Sequence, residues 1–344
     1  MLNFCTLFDK NYLSKGLALF ESLNRYCKNL TIFVLCLDDF TYHYLNQSTL
    51  KNIIPIPLSE LEGFDKELLA AKNTRTLVEY YFTISPCLPL FLLKKNPALQ
   101  WICSLDADIY FYDNPKSIFE DFEKKYSILI TPHKFTPQLL ATGIEKYGIY
   151  NVSFQAFKNN ETGLNCLEKW RFQCITWCKN FYDEDNQRYA DQKYLDTWLI
   201  DFPDEVKVLD DSTSGLAVWN INNYSLELCD NQVFSNGIRL VFYHFHRLNL
   251  INNYWIQNGF STYSVKRNKY LDNIIYKPYI NLISAFNQQL LIQKEHSIIN
   301  KSVFLRVISS QQLFYRLNKK LIRVSTFSIL NSYAFLKKLV KRLK

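Results

Sequence analysis

The stretch WICSLDADIYFY, residues 101–112, joins an apolar run to two carboxylates one residue apart. Residues 101–105 read as a strand buried on both faces, and the chain leaves that strand through Asp106 and Asp108. In open α/β sheets, ligands gather beyond the carboxyl ends of the strands. Two hard oxygen donors there, with the remaining positions left to phosphate and water, suit Mg²⁺ or Mn²⁺ holding a diphosphate. An Asp-x-Asp spacing also suits a turn that caps the next element. The apolar runs on both sides favour the cation site.

Working outward, the segments on the N-terminal side alternate in kind. Residues 3–7 read as a strand and 11–27 as an amphipathic helix with Leu13, Leu17, Phe20 and Leu23 on one face. LTIFVLCL, residues 30–37, is an unbroken β-rich run; 41–51 is helical, 53–56 is a short extended piece, and 76–95 is helical again. Such alternation implies a parallel α/β sheet built from right-handed crossovers. Beyond Tyr112 the rhythm changes. Strands are expected at 127–131, 147–157 and 238–246, and helices at 162–180 and 191–200. Residues 201–237 hold strand fragments in no evident order, and from residue 248 the pattern is mainly helical.

The chain has 344 residues, which fits one large domain with an appendage. We place the main domain at 1–247 and a helical C-terminal region at 248–344. Hydrophobic residues make up 48% and charged residues 21%, enough for a sizeable core. Only eight glycines occur, and no G-x-G-x-x-G or G-x-x-x-x-G-K-[ST] is among them, which argues against the usual dinucleotide and P-loop sites. Nine cysteines without C-x-x-C spacing read as buried free thiols of a reducing compartment. The opening residues lack the look of a signal peptide, and no apolar run reaches the length of a spanning helix, so a soluble or peripheral protein is expected.

Charge is unevenly placed. The net charge is +8, yet residues 1–300 hold 29 basic against 32 acidic side chains. The eleven remaining basic residues all lie in 301–344, which contains no acidic residue. Residues 332–344 place Leu336, Leu339, Val340 and Leu343 at helical spacing, with lysines and an arginine on the other face, and 312–323 repeat the design. A basic amphipathic helix of this kind suits an anionic membrane surface. A purely electrostatic nucleic-acid tail would need no apolar stripe, and the body lacks a basic face, so no nucleic-acid partner is expected.

His244 and His246 sit two apart in an expected strand and so share a face, able to offer a third metal ligand or a phosphate contact. Asp191-Gln192 opens an expected helix, where the carboxylate also suits the helix N-terminus.

These segments together resemble GT-A glycosyltransferases, especially family 8 and its glycogenin-like members. Phe4-Cys-Thr6-Leu-Phe-Asp9-x-Asn11-Tyr12, followed by a helix with Glu21-Ser22-Leu23, is similar to their donor-binding opening. Leu105-Asp106-Ala-Asp108 resembles their DxD motif, Tyr150-Asn151-Val-Ser-Phe their Asn-x-Gly strand, Ala-Asp191-Gln192-x-x-Leu their Asp-Gln helix, and His244-Phe245 their late metal-binding histidine. A bacterial group of uncharacterised surface-polysaccharide glycosyltransferases resembles the chain more closely, through Thr-Pro-His133-x-Phe, Asp191-Gln192-Lys-Tyr-Leu-Asp, Leu-Ala-x-Trp219-Asn220 and Tyr-His244-Phe-His246. Ser153 and Arg247 stand where family 8 has glycines.

The resemblance implies a GT-A nucleotide-diphospho-sugar transferase fold, α/β with a Rossmann-like mixed sheet flanked by helices, here with a C-terminal helical extension. It implies an enzyme of hexosyltransferase type, dependent on Mn²⁺ or Mg²⁺, that moves a sugar from a nucleotide-sugar, UDP-sugar first, to a cell-surface glycan, lipopolysaccharide or other lipid-linked acceptor. Asp106, Asp108 and His244 become the metal ligands, with His246 the substitute. Thr6, Asp9 and Tyr12 face the base and ribose, Asn151 lines the donor site, and Arg75 bridges Asp106 and the donor sugar. Asp191 and Gln192 become the catalytic pair. The expected location is cytoplasmic, on the inner face of the cell membrane. The alternative is an inactive glycosyltransferase-like scaffold or binding subunit at the membrane.

Overall fold

The computed structural model describes residues 1–251, 254–293 and 304–308. The chain opens with β1 (Leu2–Phe8), α1 (Leu13–Tyr26), β2 (Leu30–Cys36), α2 (Asp39–Asn46) and β3 (Ile53–Pro57). Two short helices, α3 (Leu58–Phe64) and α4 (Lys66–Ala71), lead to α5 (Leu77–Lys95) and then β4 (Trp101–Leu105). α5 starts on a complete capping box between Thr76 and Glu79 and runs through Pro86 and Pro89. The apolar core-facing side chains of α1 lie against β1, with Phe8 and Phe20 at 6.1 Å.

After β4 come β5 (Ile109–Phe111), α6 (Lys116–Lys125), β6 (Ile128–Pro132), α7 (Leu140–Tyr147), β7 (Tyr150–Lys158) and α8 (Glu161–Thr176). α9 (Trp198–Asp201), β8 (Val206–Val208), β9 (Leu216–Ala217), β10 (Leu226–Cys229), β11 (Gln232–Ser235), β12 (Ile238–Arg239) and β13 (Phe242–His244) complete the body. The main sheet has seven strands in the order β3-β2-β1-β4-β7-β6-β8. β3, β2, β1 and β4 are parallel, and β7 runs antiparallel to both β4 and β6. This is the Rossmann-like mixed sheet flanked by helices that the sequence implies. The chain moves outward from β1 to β3 and then returns to β4 on the other side. The reversal leaves a crevice beyond the carboxyl ends of β1 and β4, where an open α/β sheet binds ligands.

A second sheet orders β5-β13-β9 across that crevice, and β10-β11-β12 form a separate small sheet. Residues 238–246, expected as one strand, are split between these two sheets. Residues 191–200 are not a regular helix either: Lys193–Thr197 is a 3₁₀ turn and α9 follows it.

The region after residue 247 opens with a β-hairpin, β14 (Leu248–Ile251) and β15 (Tyr254–Gln257), where helix was expected. α10 (Gly259–Thr262), a π-helical turn at Leu271–Tyr276 and α11 (Lys277–Gln293) follow, and β16 (Phe304–Ile308) pairs with β15. One hydrophobic core draws on both sides of residue 247, joining Trp219 and Tyr243 to Trp255, Tyr276 and Tyr279. Stacking of Phe245 on Tyr279 at 3.7 Å fixes the end of β13 against α11. The basic amphipathic segments 312–323 and 332–344 lie outside the described residues. Eight of the nine cysteines are buried, and all nine are free thiols.

Candidate active site

β4 ends at Leu105, and the Asp106 amide is fixed by the Ser153 carbonyl of β7 at 2.9 Å. The chain then turns directly into β5, which pairs antiparallel with β13 so that His244 lies opposite Ile109. Asp108 is the residue before Ile109, so this register brings the imidazole onto its carboxylate. His244 Nε2 lies 2.9 Å from Asp108 Oδ1 and 3.4 Å from Asp106 Oδ2. The ligand atoms of Asp106, Asp108 and His244 all fall within 4.8 Å of one another, and they are the cluster of this kind among the described residues. His246 stands outside it.

The donor set fits a hard or borderline divalent ion: two carboxylates and one imidazole nitrogen, at a crevice with open positions left for other ligands. Its electrostatics are also those of a cation site. Burial alone would raise the Asp108 carboxyl, but Lys15 and His244 outweigh it and hold it well below the usual range. The low polarity of the cleft and the charge of Asp108 push Asp106 the other way, although its side chain is the more open of the two. Burial would lower His244; the two aspartates outweigh it and favour the imidazolium. Metal binding at Nε2 would therefore displace a proton.

An aromatic wall stands behind the histidines. The Trp219 ring lies 5.4 Å from His244, 5.3 Å from His246 and 5.6 Å from His133. The Trp219 indole N–H and the Asn220 amide both donate to the His133 carbonyl, at 2.8 and 2.9 Å. Three of the motifs singled out in the sequence thus meet in one structural unit. His133 and His246 are both pushed down to about 3 by burial. Both therefore stay neutral down to about that pH, whereas the aspartates favour the charged form of His244.

The opening motif reaches the same crevice from β1. Asp9 forms a tight turn, accepting from the Asn11 backbone N–H and side-chain amide at 2.9 Å each. Tyr12 precedes α1, and its hydroxyl is raised by burial and by Asp108, Asp106 and Asp9. Thr6 is buried on β1 with no hydrogen-bond partner for Oγ1 among the described residues.

Asp191 is 1% exposed and lies just after Ala190, whose φ of 46° is a left-handed conformation rare for a residue with a Cβ. Burial pushes the Asp191 carboxyl up to about 7, a hydrogen bond from Ser85 opposes this, and Asp106 adds to it. Asp191 Oδ2 is buried without a partner among the described residues. Trp170 Nε1 donates to the Asp191 carbonyl at 2.7 Å and holds the backbone.

Other expected residues are occupied elsewhere. Arg75 Nη2 donates to the carbonyls of Cys174 and Ile175 at 3.3 and 2.8 Å, satisfying the open end of α8 rather than bridging to Asp106. Asn151 Nδ2 donates to the Thr131 and Pro132 carbonyls, and its Oδ1 accepts from Ser153 N and Oγ. It shapes the irregular β6–β7 pairing. Gln192 Nε2 donates to the Tyr147 carbonyl at 2.9 Å. Asp196 of the same motif accepts from Ile149 N at 2.7 Å, beside Gly148, whose φ of +92° and closeness to that carboxylate exclude a side chain. Arg247 has a φ of 62°, so the position where family 8 carries glycine keeps the backbone that glycine favours.

Two residues were not found from sequence. Lys15 is 4% exposed, with Nζ 3.4 Å from Asp108 Oδ2. Tyr279 of α11 is buried, electrostatically coupled to Asp108 and Tyr12, with no partner for its hydroxyl among the described residues. Lys15 lies within the amphipathic pattern of α1 and nothing local marks it as buried; Tyr279 is one of 23 tyrosines.

Fold and crevice together define an α/β protein with a carboxylate–histidine cluster, of the kind that could hold a metal ion, at the switch point of its sheet. By sequence the chain belongs to the same family as YfnF of Bacillus subtilis (strain 168), an uncharacterized protein to which it is 32% identical over 257 residues, spanning 72% of this chain and 82% of YfnF. It is also similar to uncharacterized YfnD of the same organism, 28% identical over 249 residues, 72% of this chain and 78% of YfnD. No family model matches the chain. Among solved structures it is similar to mouse xyloside xylosyltransferase 1 in its apo form, with a TM-score of 0.46, 15% identity and coverage of 71% of this chain and 97% of that one. The galactosyltransferase LgtC, in complex with donor and acceptor sugar analogs, gives a TM-score of 0.46 at 13% identity, over 71% and 87% of the two chains. These likenesses concern backbone arrangement alone. No helix among the described residues is long and apolar enough to cross a membrane.

Proposed function

We propose that the chain is a GT-A glycosyltransferase of the family 8 type that moves a sugar from a nucleotide-diphosphate donor, UDP-sugar first, to a cell-surface glycan or lipid-linked acceptor. The observation that carries this reading is the convergence of Asp106, Asp108 and His244 within 4.8 Å at the sheet's switch point. These three residues would hold Mn²⁺ or Mg²⁺. A divalent ion there supplies Lewis-acid stabilisation of the departing diphosphate.

The chain's own groups do the rest. Tyr12, at the mouth of the crevice and 38% exposed, offers a ring to stack on the base. Thr6 and Asp9, at the end of β1, face base and ribose. Asp191 is the base or donor-sugar anchor: a buried carboxyl near 7 stands close to its protonation midpoint at neutral pH, as a proton-handling group requires. The strained backbone at Ala190 supports an assigned orientation for it. Gln192, already held by Tyr147, positions the segment that carries Asp191. The basic amphipathic tail would bring the enzyme to an anionic membrane, on the cytoplasmic face.

The test is release of UDP from a panel of UDP-sugars. Release with Mn²⁺ that is abolished by EDTA and by Asp108→Ala supports the reading. An EDTA-insensitive reaction, or no donor turned over or bound in the presence of metal, overturns it in favour of a binding or scaffold protein.

A further inference from the structure

Fully buried lysines are rare and need a partner. Lys15 is one, set in the first turn of α1 by a close approach at the next residue: a Cβ on Gly16 would lie 2.5 Å from the Phe8 ring. The glycine lets α1 start hard against the end of β1, so Lys15 enters the crevice rather than solvent. Its ammonium lies 3.4 Å from Asp108 Oδ2 and 4.0 Å from the centre of the Tyr12 ring. The other Asp108 oxygen faces His244. Both oxygens of Asp108, the more buried of the cluster's two carboxylates, are therefore matched by positive or proton-donating groups.

We propose that Lys15 is a resident cation that competes with the divalent ion for Asp108, so that the metal binds well only together with a nucleoside diphosphate. This rests on the metal-site reading above. The argument is one of charge. With Lys15 in place, a lone divalent ion meets an Asp108 carboxylate already neutralised and an ammonium within the cluster. A nucleoside diphosphate brings negative charge of its own, gives the ammonium a second partner, and removes the conflict. Lys15 is a positioning residue here, acting on metal occupancy through Asp108.

The test is Mn²⁺ binding, followed by electron paramagnetic resonance of free Mn²⁺, for wild type, Lys15→Met and Lys15→Arg, each with and without UDP. Removing a unit charge about 4 Å away in a partly screened site is worth about tenfold or more in affinity. Lys15→Met is therefore expected to bind Mn²⁺ alone about tenfold or more tightly than wild type, with a smaller gain on adding UDP. Lys15→Arg should behave as wild type. Loss of the partner destabilises the metal-free Met variant, so its melting temperature should rise more on adding Mn²⁺ than that of wild type, a readout available even for a weakly folded variant. If wild type binds Mn²⁺ with UDP but Lys15→Met binds Mn²⁺ alone no tighter than wild type, the role of Lys15 is refuted while the metal site stands. If wild type binds no Mn²⁺ even with UDP, both readings fall.

Discussion

The seven-stranded sheet and the three-stranded β5-β13-β9 sheet differ in how they are built and in what they give the site. The large sheet rests on long, locally consistent elements: β1, β2, β4 and β7 are five to nine residues each. The small one has strands of three, three and two residues, and its β5–β13 pair joins residues more than a hundred apart in sequence. The first supplies Asp106 and the crevice; the second carries His244 and fixes Asp108 against it. The proposed cation site, divided between an independent scaffold and a dependent one, should respond differently to damage on each side.

The largest effect is expected at the hinge between the sheets. Asp108→Ala removes the residue that Lys15 and His244 both face, and should lower UDP release by roughly 10³-fold with Mn²⁺-dependent UDP binding lost. It also leaves Lys15 buried without its carboxylate, so a lower melting temperature should accompany the loss.

Next comes Asp191→Asn, outside both sheets. Transfer is expected to fall by about 10²–10⁴ while Mn²⁺–UDP binding stays near wild type. The same variant tests a pH effect. Asp191 titrates near 7 when folded and near 3.8 otherwise, so between these values only the folded protein keeps the proton. Its contribution to stability is thus complete below about pH 4 and is lost as pH rises through about 7. Asparagine mimics the protonated form, so the melting temperature of Asp191→Asn should exceed that of wild type at pH 8 and approach it at pH 5. A wild-type transfer rate in the variant would leave Asp191 a structural residue only.

Trp219→Leu addresses the small sheet alone. It removes the ring that flanks His244 and His246 and the indole N–H that holds His133, without touching a ligand atom. Outer-shell losses of this kind typically cost about 10–100-fold in metal affinity. An unchanged Mn²⁺ affinity would mean that β13 pairing by itself orients the imidazole.

The smallest effect is expected from the tail. Because β16 pairs with β15, the informative truncation removes residues 309–344 rather than 301–344. UDP release should be nearly unchanged, and transfer to lipid-linked acceptors in anionic vesicles should fall, with vesicle binding weakening as salt rises. Equal binding to neutral and anionic vesicles would remove the electrostatic role of the tail.

The same contrast explains what was legible in the sequence. β2 and β4 could be read because each is an unbroken apolar run of strand length, and α1 because its apolar residues recur at helical spacing. The small sheet could not: Leu216 and Ala217 form a strand only through their pairing with Tyr243 and His244. Residues 238–246 look like one strand, but the Val241 amide is taken by the Thr213 carbonyl, and the chain passes from one sheet to another there. The hairpin after residue 247 was missed because its polar-aromatic composition resembles the helices that follow. At the site, the ligand types and the strand end were legible. The occupation of Arg75 by α8 and of Asn151 by β6 was not, since both depend on neighbours far off in the chain. Lys15 needed the Gly16–Phe8 contact to be known first.

The central claim is that the two sheets jointly build a divalent-cation site for a nucleoside diphosphate. Calorimetric titration of UDP into wild type and His244→Ala, each with Mn²⁺ and with EDTA, tests it most directly. Wild type should bind UDP with Mn²⁺ and lose that binding in EDTA, and His244→Ala should bind at least about tenfold more weakly with Mn²⁺. Equal UDP binding by wild type in Mn²⁺ and in EDTA, or by His244→Ala and wild type in Mn²⁺, would contradict it.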